Sequence, residues 1–217
     1  MFAYCGNCPA NYFDPAGTCR RALGFLWKVD CKDASCPQSK CYNPSVGRVA
    51  VLYDDRSNHH LGELIGDGGF RNQGEALVEL LESTYIVEEY GFTNMDEFVE
   101  CWNSMSGCYD SIYILCHGYE GGLSCAGKSI GAPNTEYYSF YDLNTITANF
   151  VNLYSCHGAT LSSDGKSAAQ YLSYITGGTV LAVVNGKLSY YFGTPFPHPD
   201  DGGTWSFTKD GNTTFWG

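Results

Sequence analysis

A chain of 217 residues with 12 lysines and arginines against 23 aspartates and glutamates, net charge −11, offers no basic footprint for a nucleic-acid backbone or an anionic membrane surface. Its length suits one sizeable α/β core with a modest appendage, and no stretch approaches the roughly 18 consecutive apolar residues of a membrane span. A protein or peptide is the expected partner; MFAYCGNCPANY lacks a basic start followed by an apolar run, so the chain reads as soluble and without a signal peptide of its own.

The first 47 residues are loop-rich, with Cys5, Cys8, Cys19, Cys31, Cys36 and Cys41 set among Asn, Pro, Gly and Asp. Eleven cysteines are an odd number, so at least one is unpaired in a monomer, and most are read as reduced thiols. Zinc ribbons use two close cysteine pairs; here only Cys5 and Cys8 have that spacing, so no metal site is expected. Residues 21–47 form a cysteine-rich linker and the main domain runs over 48–217.

From Arg48 the texture changes. RVAVLYD is a short β-branched and apolar run bounded by turn residues, which predicts a buried strand. A loop containing His59 and His60, without ligand spacing to an acid or cysteine, leads to QGEALVELLES, where Ala76, Leu77, Leu80 and Leu81 recur at helical spacing. TYIVEEY is the next strand. Asn94 then precedes Met95, Phe98, Val99, Trp102 and Met105 on one helical face, with Glu97 placed as in a capping box.

Ser111 to His117 and Phe150 to Ser155 are predicted strands, separated by a Gly- and Tyr-rich β excursion instead of a crossover helix. A helix over Ser167 to Thr176 stops at Gly177-Gly178, and TVLAVV is a further buried strand. The tail after Asn185 reads as irregular or hairpin-like. The order β-α-β-α-β-β-α-β predicts an α/β fold: a mainly parallel sheet flanked by helices on both faces, with its ligand crevice beyond the carboxyl ends of the strands.

His117 and Cys156 both fall at that edge. A thiol is a useful nucleophile at neutral pH when a neighbouring base raises its thiolate fraction, and a histidine at an adjoining strand end can do so. Gly118 lets a substrate approach closely, and its N–H, with that of Cys156, can face the oxyanion formed during attack. The plain alternative makes Cys156 a small buried hydrophobe and His117 a satisfied polar residue. His157 is a rival base, though sequence neighbours usually point in different directions; Cys116 alternates to the face opposite His117 and belongs to the core.

A strand ending in His117-Gly118, followed after some tens of residues by a strand ending near Cys156, resembles the caspase-like (clan CD) cysteine peptidases over about Arg48 to Tyr191. The resemblance implies a caspase-like fold with His117 as general base, Cys156 as nucleophile and the Gly118 N–H in the oxyanion hole, with no cofactor. Many members carry an acid or amide two places before the cysteine, where this chain has Tyr154. Asp54, Asp55, Arg56 and Asn185 are the positional candidates for substrate binding. An acidic lining selects Arg or Lys and Arg56 selects Asp or Glu; the surplus of carboxylates favours the first.

MFAYCGNCPANYFDPAG is similar to the end of the core domain of rearrangement-hotspot (RHS) repeat proteins, through Tyr4, Asn7, Pro9, Asp14, Pro15 and Gly17, with Cys8 where a second Asn is common. That resemblance implies that residues 1–20 are an RHS core-like tail. The remainder would be a polymorphic toxin effector, exported by its parent, acting inside a target cell and countered by an immunity protein. The expected function is thus a toxin endopeptidase. The alternatives are a peptidase that releases itself from its parent, a non-catalytic caspase-like binding module, or a thiol-rich zinc or redox module.

Overall fold

The computed structural model describes residues 19–22, 28–31, 47–56, 69–131, 137–190 and 194–215. The RHS-like motif, Cys5, Cys8, Cys36, Cys41, His59 and His60 lie outside the described residues. The lead-in nevertheless contains an antiparallel pair, β1 (Cys19–Ala22) and β2 (Lys28–Cys31), which its polar composition did not signal.

The main domain follows as β3 (Gly47–Asp54), α1 (Gly69–Glu82), β4 (Tyr85–Phe92), α2 (Met95–Ser104) and β5 (Cys108–Leu115). An excursion comprises β6 (His117–Tyr119), β7 (Gly122–Cys125), β8 (Lys128–Gly131) and β9 (Tyr138–Ser139), then a 3₁₀ turn over Phe140–Asp142. The chain continues through β10 (Thr147–Tyr154), α3 (Ala168–Thr176), β11 (Thr179–Val184), β12 (Lys187–Tyr190), β13 (Pro197–Asp200), β14 (Thr204–Lys209) and β15 (Asn212–Phe215).

Seven strands form the main sheet in the order β15-β14-β11-β10-β5-β3-β4. Strands β4, β3, β5, β10 and β11 are mutually parallel, whereas β14 and β15 close one edge antiparallel. The sheet is therefore mixed and largely parallel, and the tail, read as irregular or hairpin-like, supplies its last two strands as the hairpin β14–β15. The excursion is a separate small sheet in the order β6-β7-β8-β9.

Strand alternation divides the interior into two cores. Val49, Val51 and Tyr53 of β3 join Leu77, Val78 and Leu81 of α1 with Tyr113, Leu115 and Tyr154. Ala50 and Leu52 join Ile112, Ile114, Val151 and Leu153 with Phe98 and Trp102 of α2 and Ala169 and Leu172 of α3. Strands buried on both sides must be apolar at nearly every position, which is why RVAVLYD and TVLAVV were legible as runs and not as alternations. Having placed β4 on one side of β3, the chain returns to place β5 on the other, with α1 and α2 in different cores. Such a reversal opens a crevice at the carboxyl ends of β3 and β5.

The helix ends follow local chemistry. Asn94 caps α2, its side-chain oxygen accepting from the Glu97 N–H at 3.0 Å, while the Glu97 carboxylate takes the Thr93 N–H at 2.7 Å in place of the cap's own N–H. Ser167 and Gln170 form a full capping box at α3, and Gly177 ends that helix at φ 62°, a conformation suited to glycine. Helix α1 begins at Gly69, four residues before the predicted segment that opens at Gln73. Among the described residues no helix is long and apolar enough to cross a membrane.

At the amino end of the sheet, Glu88 ties three strands together. Its carboxylate accepts from Arg48 of β3 at 2.5 Å, Tyr109 of β5 at 2.7 Å and Tyr90 at 3.0 Å, and the Arg48 guanidinium lies 4.4 Å from the Tyr109 ring centre. Burial pushes the Glu88 carboxyl up, but these donors together outweigh it and hold the group below its ordinary value of 4.5. Its stabilising contribution is therefore complete at neutral pH and is lost as the pH falls below about 4.5 toward the depressed folded-state value. Glu88→Gln should lower the melting temperature at pH 7 and flatten its decline as the pH falls below about 4.5; thermal melts from neutral into acid pH check it.

Candidate active site

The last registered pair between β5 and β10 is Leu115 opposite Tyr154, and both strands end there. One position further, Cys116 and Ser155 are buried, at 0% and 1% exposed. Next come His117, exposed, and Cys156, half-buried. The structure thus corrects both strand ends: His117 opens β6, opposite Ser124 of β7, and Cys156 sits in the turn after β10.

It also brings the two segments together. A Cβ placed on Gly118 would lie 2.2 Å from the carbonyl oxygen of Cys156 and 2.9 Å from the Ser155 side chain. The backbone after β5 therefore crosses that after β10 at a distance only glycine permits. The room expected for a substrate on this side of Gly118 is taken by Cys156 and Ser155 themselves.

The Cys156 turn is tied to its surroundings through backbone groups. The His157 N–H donates to Gly186 O at 3.0 Å, Ala159 N–H to Val183 O at 2.8 Å and Asn185 N–H to Thr160 Oγ1 at 2.8 Å. Both His157 and Asn185 have φ of 55°, the left-handed region, so the two facing turns are sharply bent. Asn185 is exposed and stands beside the Cys156 turn, while Nδ1 of the rival base His157 is buried with no hydrogen-bond partner among the described residues.

Aromatic groups complete the wall. Phe70 of α1 meets the His117 ring edge-on, centroids 5.0 Å apart at 86°, and meets the Tyr190 ring at 6.5 Å. Neither Phe70 nor Tyr190 was predicted: Phe70 precedes the apolar periodicity of α1, and Tyr190 lies in a short strand in the tail. Tyr154, two places before the cysteine, is 5% exposed and packs on Tyr113 and Trp205, so it is a core residue here.

A cleft of about 590 Å³ opens beside His117, lined also by Arg56, Tyr119, Ser124, Lys128 and Tyr137. Cys156 lies outside its lining. Of the four positional candidates for substrate binding, only Arg56 reaches this cleft. Asp54 is 2% exposed, and its carboxylate takes Arg56 Nε at 2.9 Å and Nη2 at 2.6 Å. The hydrogen bond to Asp54 holds the Arg56 guanidinium above its ordinary range, ahead of the opposing effect of burial. Asp55 turns to Arg71 of α1 at 3.4 Å. The carboxylates favoured by composition are thus directed at arginines.

Burial also sorts the thiols. Cys116 is fully enclosed, and desolvation drives it well above the ordinary thiol range, with Asp54 adding to the effect. Burial, then Asp54, pushes Cys125 up to about 12. Both remain neutral thiols at physiological pH, as the core reading of Cys116 requires. Among the described residues no group of three or more His, Cys, Asp or Glu side chains is placed to hold a metal ion.

A half-buried thiol in the turn after β10 and an imidazole that opens β6, both following the carboxyl ends of neighbouring parallel strands, are groups suited to nucleophilic chemistry. No protein-family model matches the chain, and no curated protein matches it. The chemistry therefore rests on the site alone. Gly118→Ala should force the Cys156 turn aside, costing about 1–3 kcal/mol of stability as overpacking generally does, with a lower urea midpoint as the readout; an unchanged midpoint would show that the crossing is not tight.

Proposed function

We propose that the chain is a cysteine endopeptidase of the caspase-like kind. The observation that carries this reading is the passage of Gly118 over the Cys156 carbonyl, because it brings the backbone next to His117 against the turn that holds the thiol. In the proposed reaction the Cys156 proton passes to His117, and the sulfur attacks a peptide carbonyl to form a tetrahedral oxyanion. The backbone N–H groups of Gly118 and Cys156 are the donors assigned to that oxyanion. Collapse expels the amine with the proton from His117, leaving an acyl-enzyme thioester. Water, deprotonated by His117, then releases the acid and restores the thiol.

For the side chain that enters the cleft, Arg56 supports an acidic residue. Its charge is kept by Asp54, its place in the lining is next to His117, and Lys128 adds a second cation, paired with Asp96 at 2.6 Å. An aspartate or glutamate can accept from these donors, whereas a lysine would meet like charge. The biological setting of a toxin effector with an immunity partner rests on the RHS-like residues at the start of the chain.

Cys156→Ala should abolish cleavage of a peptide library, and His117→Ala should slow it by about 10²–10⁴-fold, the usual contribution of general acid–base catalysis. Cleavage by Cys156→Ala, or an unchanged rate in His117→Ala, would overturn the dyad. Wild-type protein should favour peptides with Asp or Glu before the cut over Asn or Lys isosteres, and a cleavage profile led by Lys or Arg would overturn the acidic preference.

A further inference from the structure

The small sheet brings two buried thiols into register. Strands β6 and β7 pair antiparallel, with His117 opposite Ser124, Gly118 opposite Leu123 and Tyr119 opposite Gly122. One step beyond the His117–Ser124 pair, the same register sets Cys116, in the bend that precedes β6, opposite Cys125, the last residue of β7. Residues facing each other across an antiparallel pair have Cα atoms about 4.5–5.5 Å apart, and a disulfide spans about 4.4–6.8 Å. The side chains also share a face. His117 and Ser124 line the cleft, and alternation turns their neighbours Cys116 and Cys125 to the other side of the ribbon, where they are 0% and 1% exposed and lie in one core with Leu123. Both are free thiols.

We propose that Cys116 and Cys125 are a redox-active pair that closes to a disulfide, stapling the bend before His117 to β7. The oxidant is a small-molecule disulfide of the glutathione kind. Cys125, which also borders the cleft, gives up its proton and attacks one sulfur of the oxidant, whose S–S bond breaks and releases one small thiol. Cys116, deprotonated in turn, attacks Cys125 Sγ in the mixed disulfide, breaking that bond and releasing the second small thiol. Two electrons and two protons thus leave the protein pair, and one small disulfide becomes two thiols. Burial, with the Asp54 carboxylate adding to it against Arg56, holds both sulfurs in the neutral form, so the exchange is slow at neutral pH and faster in mild alkali. Cys156 is not part of the pair: it follows β10, whereas the strand in register with Cys116 is β7.

The test equilibrates the folded full chain with oxidised glutathione at about pH 8.5, the ordinary thiol value. The protein is then denatured in excess iodoacetamide, cut with trypsin and a glutamate-specific peptidase, and read by mass spectrometry. Cleavage after Glu120 separates the two cysteines, so the fragments 101–120 and 121–128 should stay joined until a reductant is added, with the link at Cys116 and not at Cys101 or Cys108. Oxidised wild type should melt about 4–8 °C above its reduced form, and Cys125→Ser should lack that shift. Alkylation of both Cys116 and Cys125 after equilibration, or a link from Cys125 to any other cysteine, overturns the proposal. An equal melting shift in wild type and Cys125→Ser overturns it too. The fragment readout uses wild-type protein and stands if Cys125→Ser does not fold. Neither His117 nor Cys156 takes part in the bond, so the outcome is independent of the peptidase reading.

Discussion

The candidate site depends on a backbone crossing that leaves no space for a side chain. Parallel pairing of β5 and β10 carries two strands to the same level, and each then leaves the sheet, β5 toward the small excursion sheet and β10 into a sharp turn. If the two exits diverged at once, His117 and Cys156 would be separated. The absent Cβ at position 118 lets the first segment lie on the carbonyl of Cys156, at 2.2 Å from where that atom would stand. The glycine is therefore needed for internal packing before any ligand arrives.

The rest of the fold supports this crossing from three directions. The Cys156 turn is held from below by the link between β11 and β12 through the His157, Ala159 and Asn185 N–H groups. Helix α3 meets it through the Ala169 N–H, which donates to Gly158 O at 2.9 Å. Helix α1, in the opposite core, covers His117 with Phe70. Main-chain hydrogen bonds fix a turn more firmly than surface ion pairs do, because little side-chain entropy is lost in making them. The position of the thiol is thus set by the sheet's own connectivity.

Most of the large parallel sheet was legible because its strands are buried on both sides and must be apolar throughout, and because Asn94, Ser167 and Gly177 mark helix ends by local chemistry. That the segments carrying His117 and Cys156 approach each other could be anticipated from their places after consecutive strands. What surrounds them could not. Phe70 lies before the apolar repeat of α1 begins, Tyr190 belongs to a four-residue strand with no alternation to announce it, and β14 joins the main sheet by pairing with β11, twenty or more residues earlier. The Asp54–Arg56 pair illustrates the same limit: spacing put both residues near the crevice, but only the fold decides that the carboxylate is buried and the guanidinium reaches the cleft.

Net charge is a poor guide to a site of this construction. The chain carries −11 overall, yet the acids nearest the crevice are each turned to a cation: Asp54 to Arg56, Asp55 to Arg71 and Asp96 to Lys128. The negative surplus lies elsewhere and is screened by salt over about 8–10 Å. Around the crevice, burial has the larger effect, keeping Cys116 and Cys125 protonated, while Cys156 is only half-buried. Chemically identical thiols thus differ in solvation, and the strand register that places Cys116 inward and Cys156 in the half-buried turn after β10 is what creates those differences.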